Sequence, residues 1–429
     1  MRALATCLAL LVTLMAPALS AAEPRWIESW GTALPLAPPP PPPFEPRPEP
    51  AAGSEPSPPP PGPFVPHPAS FSDQTIRMIV RSSAGGPAFR LEFANRHGTA
   101  PVTFGSVHAA LAGEGGAILA GSDRKVTFGG REQLTLFPGA RAVSDPVELP
   151  LPALTHIAVS IHLPEETEAS TVDALGLMPA YIAEGNQAGA ERLDGPILAG
   201  SYFWLRGLSV PAAGPEAGTI VALGDSITEG YSTTAGANRS WPDLLAERMQ
   251  SDPALASWGV VNTGISGNRV LRPGAGDAAV ARFTEDVLSR PGVRWVVILE
   301  SINDINMSIM PGMPPGQAVS AEQIIAGLDQ LVSRAHFHGL KVAGGTVMPT
   351  KGLPFWSEEG EAMRQAVNQW IRSSERFDAV IDFDAATRDP ADPLRIQPEL
   401  DPGDHVHPND EGNRVMAEAI DLSIFHPGG

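Results

Sequence analysis

Between residues 71 and 210, apolar and polar side chains alternate with a period of two. Ile76, Met78 and Val80 alternate with Arg77 and Arg81, and Phe89, Leu91 and Phe93 with Arg90 and Glu92. Ile157, Val159 and Ile161 alternate with Ala158, Ser160 and His162. Between Gly- and Pro-rich turns, this pattern predicts half-buried antiparallel strands, so 71–210 is expected to form an all-β domain of sandwich or jelly-roll type. The period changes after Gly218. Residues 219–223 predict an apolar strand, and a helix is expected from about Trp241, with Ser240 as its cap and Pro242 in its first turn. Further short strands are expected at 260–261, 295–299, 340–343 and 379–384. Ser320 and Gln323 have the spacing of a capping box, which opens a helix striped by Ile324, Ile325, Leu328, Leu331 and Val332. Met363, Val367, Trp370 and Ile371 stripe another helix, and a closing helix is expected over about 409–420. Alternating strands and helices predict a parallel sheet covered on both faces, here over 216–425.

Two segments lie outside this pattern. Arg2 precedes an apolar run (Leu4, Ala5, Leu8 to Val12, Leu14, Met15) and then Pro17, Ala18, Ser20, Ala21 and Ala22. The run is shorter than the roughly 20 residues a membrane span needs, so 1–22 is expected to be a secretory signal peptide cleaved near Ala22, and the product secreted or periplasmic. Cys7, the chain's only cysteine, would leave with it, removing disulfide and thiol chemistry from the mature protein. Within 23–70, 18 of the 46 prolines fall between Pro35 and Pro68, which predicts an extended spacer or surface loop. Trp26 and Trp30 precede it in a short segment expected to be ordered and to pack onto the chain downstream.

Forty-eight acids against 29 bases give a net charge of -19. That balance argues against a nucleic-acid-binding surface and against adhesion to anionic membranes, since both need clustered Lys and Arg. No other window is apolar enough for stable membrane insertion. His97, His108, His156 and His162 show no metal-ligand spacing.

In open parallel sheets, ligands bind beyond the carboxyl ends of the strands. Four candidate segments sit there. Ser226, in Gly224-Asp225-Ser226-Ile227-Thr228-Glu229-Gly230, follows the first strand, where a serine can expose its hydroxyl beside backbone amides; an Asp-Ser helix cap would look the same. Gly264-Ile265-Ser266-Gly267 follows the second strand and allows close backbone approach, or a plain turn. Asn303, in Ser301-Ile302-Asn303-Asp304, is placed to donate to an oxyanion or to close a loop. Asp404-His405-Val406-His407-Pro408 precedes the last helix, and an acid three residues before a histidine can fold back to hold its ring. A surface or metal-binding His-x-His pair is the other reading of that segment.

In this order, the four segments resemble the conserved blocks of the SGNH (GDSL-type) hydrolase family. Ser226 matches the serine of its Gly-Asp-Ser block and Gly267 the glycine of Asn262-Thr263-Gly264-Ile265-Ser266-Gly267. Asn303 matches the asparagine of the third block, and His407, with Asp404, the closing Asp-x-x-His. Ser301 stands where the third block has glycine. The resemblance covers 216–425 and implies a three-layer α/β/α, flavodoxin-like catalytic domain; the preceding β-rich region is similar to one accompanying exported members related to lysophospholipase L1-like and carbohydrate esterases. It implies Ser226 as nucleophile, His407 as base, Asp404 as its orienter, and an oxyanion hole from the Ser226 and Gly267 amides and the Asn303 side chain. Neither a metal nor an organic cofactor is implied.

The expected activity is hydrolysis of carboxylic esters through an acyl-enzyme on Ser226. A short acyl group is expected, with O-acetylated carbohydrate leading among small-molecule or carbohydrate ester substrates. A lysophospholipase or thioesterase acting on lipid esters is the alternative within the same chemistry, and a non-catalytic carbohydrate-binding protein on a hydrolase scaffold the alternative outside it. Asp225 and Asp304 are expected to be structural. Arg239, Trp241, Asn268 and Arg269 are candidate pocket residues.

Overall fold

The computed structural model describes residues 24–37 and 67–426. The expected leader 1–22, with Cys7, and most of the proline-rich stretch lie outside the described residues.

The first half is built from antiparallel strands: β1 (Trp26–Gly31), β2 (Gln74–Arg81), β3 (Arg90–Ala94), β4 (Ser106–Leu111), β5 (Arg124–Lys125), β6 (Arg141–Val143), β7 (His156–Leu163), β8 (Ala180–Glu184), β9 (Ile197–Ala199) and β10 (Leu205–Pro211). One sheet runs β1-β10-β3-β6 and the other β9-β8-β2-β7-β4-β5. Ile27, Leu91, Phe93, Leu208 and Val210 from the first share a core with Ile76, Met78, Val80, Ile157 and Val159 from the second.

The Trp26–Trp30 segment is ordered and packs onto the chain downstream, as expected, because β1 pairs with β10 and adds an edge to the first sheet. One feature differs from expectation: β2 is buried on both faces rather than one. The chain folds over its outer face, and the buried Arg77 donates to the Ser160 hydroxyl and to the carbonyls of Gly116 and Ala190 at 2.6–2.8 Å. A polar position in a period-two pattern is thereby buried and satisfied, as a charge inside must be.

The second half is a five-stranded parallel sheet: β11 (Thr219–Gly224), β12 (Gly259–Gly264), β13 (Val293–Leu299), β14 (Lys341–Gly345) and β15 (Ala379–Ile381). The spatial order is β12-β11-β13-β14-β15, so the strand order reverses beside β11 and opens a crevice at that end of the sheet. Helices α1 (Ser226–Glu229), α2 (Trp241–Gln250), α3 (Ala279–Phe283), α4 (Ile302–Ile309), α5 (Ala321–Phe337), α6 (Glu358–Ser373), α7 (Phe383–Thr387) and α8 (Asp410–Glu418) connect and follow the strands. α2 packs with α8, while α3, α4, α5 and α6 pack among themselves. Right-handed crossovers place these two groups on opposite faces. The Ser320–Gln323 capping box forms as predicted. The last strand ends at Ile381 instead of residue 384, because Asp382 caps α7 by accepting from Ala385 N.

β1 also ties the halves together. Glu28 N donates to Thr219 Oγ1 at 2.9 Å, and Arg290 donates to Glu28 Oε1 at 2.8 Å with both side chains almost fully buried. Ser83 Oγ accepts from Val260 N at 2.8 Å. Among the described residues, no helix is long and apolar enough to cross a membrane.

Candidate active site

Strands β12, β11 and β13 end level. Gly224 pairs with Gly264 on one side and Leu299 on the other, so the segments that follow begin at the same height at the crevice. Asp225 caps α1, its carboxylate accepting from Ile227 N at 2.9 Å. Ser226 is thus both the first helical residue after a capping aspartate and a serine at a strand end. The two readings of that segment are compatible.

Ser226 Oγ lies 2.8 Å from His407 Nε2, and His407 Nδ1 lies 2.7 Å from Asp404 Oδ2. The loop holding these groups is self-braced, because Asp404 Oδ1 accepts from the backbone N–H of Val406 and of His407 at 3.0 and 2.9 Å. Burial pushes the Asp404 carboxyl up, but the His407 hydrogen bond, the His407 charge and those amides outweigh it and hold it below the ordinary value. A carboxylate on Nδ1 fixes the proton there, which leaves Nε2 to accept from the Ser226 hydroxyl. His405 faces elsewhere. Its backbone is left-handed (φ 64°), and its ring is 2.6 Å from Asp401 Oδ2. The His-x-His pair is therefore split between two acids, and only His407 meets the serine. Among the described residues no group of three or more His, Cys, Asp or Glu is arranged to hold a metal ion.

Gly267 has φ 78°, and a Cβ there would lie 2.9 Å from Ala275 Cβ; both facts require glycine. Asn303, in the first turn of α4, donates through Nδ2 to the carbonyl of Asn268 at 3.0 Å. That bond anchors the amide to the turn beside Gly267 and uses one of its two N–H groups. Ser301, at the position where glycine was expected, adopts φ 114° and ψ -24°, so the backbone keeps the conformation that favours glycine.

Beneath these segments lies a group of buried acids. Burial, opposed by the Ile227 amide and the charges of His407 and Arg282, pushes Asp225 up to about 7. Burial also raises Asp304 to about 6, against hydrogen bonds from the Val270 and Leu271 amides. Glu300 is raised well above its ordinary value by burial and by Asp225. Asp225 and Asp304 thus brace backbone, as expected. Of the suggested pocket residues, Trp241, Asn268 and Arg269 are buried: α2 packs into the core, and Asn268 and Arg269 bond to Ala275, Asp277 and Gln317. Arg239 lines a cavity of about 80 Å³ between the halves, with Arg81, Asp173, Glu229, Asn238 and Asp243, and neither Ser226 nor His407 lines it.

Sequence reasoning missed three residues near the site. Tyr231 lays its ring 4.3 Å from that of His407, centroid to centroid. Asp401 holds His405. Arg282 sits under the strand ends; its signal was a lone arginine inside the apolar run Ala279-Val280-Ala281-Arg282-Phe283.

Residues 222–415 match the model of the GDSL-like Lipase/Acylhydrolase family. No curated protein matches the chain. Similar solved structures include a catalytic mutant of an acetylxylan esterase from Geobacillus stearothermophilus (24% identity, 48% of this chain, 94% of that chain, TM-score 0.38). Others are a GDSL-like lipase from Bacteroides thetaiotaomicron (21%, 48% and 87%, 0.37) and an alpha/beta hydrolase enzyme from the metagenome of Lake Arreo, Spain (23%, 48% and 94%, 0.38). The family match runs from within β11, just ahead of the serine, through the loop holding His407 and into α8, and on it residues 222–415 form a GDSL-like lipase/acylhydrolase domain, which makes the protein a serine carboxylic ester hydrolase.

Proposed function

We propose that this ester hydrolase acts through an acyl-enzyme on Ser226, with Asp404 and His407 completing the triad, and that it is exported by its N-terminal leader. The observation that carries the mechanism is the unbroken chain Ser226 Oγ, His407 Nε2, His407 Nδ1, Asp404 Oδ2, with links of 2.8 and 2.7 Å. His407 takes the hydroxyl proton as Oγ attacks the ester carbonyl, and Asp404 stabilises the resulting imidazolium. The oxyanion is met by the amides of Ser226 and Gly267 and by the second N–H of Asn303. His407 returns its proton to the departing alcohol, then activates water to release the acid. Each oxyanion donor is worth about 10²–10³ in rate.

We read the substrate as a carboxylic ester with a short acyl group, O-acetylated carbohydrate foremost. Support comes from the polar ring of Tyr231, which packs against His407, and from the β-rich half available to hold a polymer.

The test is a panel of chromogenic esters of increasing acyl length, with acetylated xylan, run on wild type and Ser226→Ala. Activity greatest on acetyl esters, lost by several orders of magnitude in folded Ser226→Ala, is expected. Near-wild-type activity of the variant overturns the serine mechanism, and a preference for long acyl chains overturns the substrate reading.

A further inference from the structure

Arg282, on α3, is 1% exposed and reaches under the sheet to the ends of the strands that carry the site. One terminal nitrogen donates to the carbonyl of Thr263 at 2.6 Å and to Asp286 Oδ2 at 3.1 Å, and the other to the carbonyl of Gly224 at 2.8 Å. The second nitrogen also faces Glu300 Oε1 at 3.5 Å. Gly224 directly precedes Asp225-Ser226. Thr263 directly precedes the Gly264–Gly267 turn. Glu300 directly precedes Ser301 and α4. A single planar cation therefore touches the last residues before three of the four segments that make the site.

The third nitrogen, Nε, donates to Asn268 Oδ1 at 3.0 Å. Asn268 is itself buried, and its Nδ2 donates to the carbonyls of Ala275 and Asp277, both at 2.9 Å. Every polar atom of that side chain is committed, so its place is fixed by the guanidinium on one side and the 275–277 loop on the other. The backbone carbonyl of the same residue accepts the one bond made by the Asn303 amide. The path from Arg282 to Asn268 to Asn303 thus consists only of hydrogen bonds between groups with no freedom to turn.

We propose that Arg282 and Asn268 are positioning residues for ester hydrolysis, which set the level of the strand ends and the angle at which Asn303 offers its free N–H to the oxyanion. This rests on the assignment of Ser226 and Asn303 above. An oxyanion donor acts only when held about 3 Å from where the charge develops, and misplacement by about 1 Å costs about 100-fold. Arg282 touches no reacting atom, so its whole effect passes through the geometry of others.

The experiment compares full-length wild type, Arg282→Lys, Asn268→Ala, Asn303→Ala, the Asn268→Ala/Asn303→Ala double variant and Ser226→Ala. Each is assayed with p-nitrophenyl acetate after the folded fraction is measured by circular dichroism. Arg282→Lys and Asn268→Ala are expected to lose about 100-fold in kcat per folded molecule with KM within about twofold. The double variant is expected to fall no more than about threefold below Asn303→Ala, because the two act through one group. Full kcat per folded molecule in Asn268→Ala overturns the proposal, as do losses that multiply in the double variant. If Arg282→Lys fails to fold, the Asn268 variants alone decide. An active Ser226→Ala overturns the underlying serine reading, whereas an inactive one beside a fully active Asn268→Ala overturns only the positioning role.

Discussion

Replacing Ser301 by glycine should stabilise this enzyme, contrary to the usual cost of glycine. Ser301 is fully buried, holds φ 114°, and its hydroxyl has no hydrogen-bond partner. Backbone held in so sparsely populated a region costs about 1–3 kcal/mol, and an unpaired buried hydroxyl a further ~1–3 kcal/mol. Against this stand the greater unfolded-state freedom of glycine, about 0.5–1 kcal/mol, and the small void left by the side chain, about 1 kcal/mol. The net gain is about 2 kcal/mol. For a domain of this size each kcal/mol moves the melting temperature by about 2–4 °C, so scanning calorimetry should show a rise of about 4–8 °C. Ser301→Ala separates the contributions, because it removes the hydroxyl but keeps Cβ and the strain, and it should recover only part of the gain. A glycine variant no more stable than wild type would refute the reasoning and mean that the hydroxyl has a partner in solution that offsets the strain.

Two further expectations concern other parts of the molecule. Burial pushes Asp173 up to about 6, against hydrogen bonds from Thr32, the Leu175 amide and Glu229. The folded state therefore holds this proton more tightly than the unfolded chain, whose aspartates titrate near 3.8. The stability it contributes is full below about pH 4 and is lost as pH rises through about 6. Melting temperatures from pH 4 to 8 should fall less steeply for Asp173→Asn than for wild type across pH 4–6, and parallel curves would refute this. At the site, the Tyr231 ring against His407 should stabilise the imidazolium by about 0.5–1 kcal/mol. Tyr231→Leu is expected to lower kcat about two- to fivefold while Tyr231→Phe leaves it near wild type; equal losses in both would point to the hydroxyl instead.

What the sequence disclosed and what it hid divide along the range of the interactions. Strand and helix alternation after Gly218 is a local signal, and so are the Ser320 capping box and the three-residue step from Asp404 to His407. Each is written within a few neighbouring residues, so each could be read. The step from Asp404 singled out His407 over His405, but the place of His405 could not be read, since it depends on a left-handed backbone there and on Asp401 four residues upstream. Arg282 was passed over because an arginine within a short apolar helix shows no partner in the sequence; its partners come from three strand ends. The pairing of Trp26–Gly31 with a strand beyond residue 200 was likewise invisible, as was the capping by Asp382 that shortens the last strand.

That first strand carries a consequence for the order of events in folding. The hydrogen bond from Glu28 to Thr219 closes a separation of 191 residues, and its ion pair with Arg290 one of 262. Synthesis delivers β1 before any of these partners exist, so the earliest segment of the described chain is among the last to find its place. Closing so long a loop costs entropy that only the finished sheets can offset. Until β10 has been made, Trp26, Ile27 and Trp30 remain uncovered, and the nascent chain carries a sticky apolar strand for roughly the first half of its synthesis.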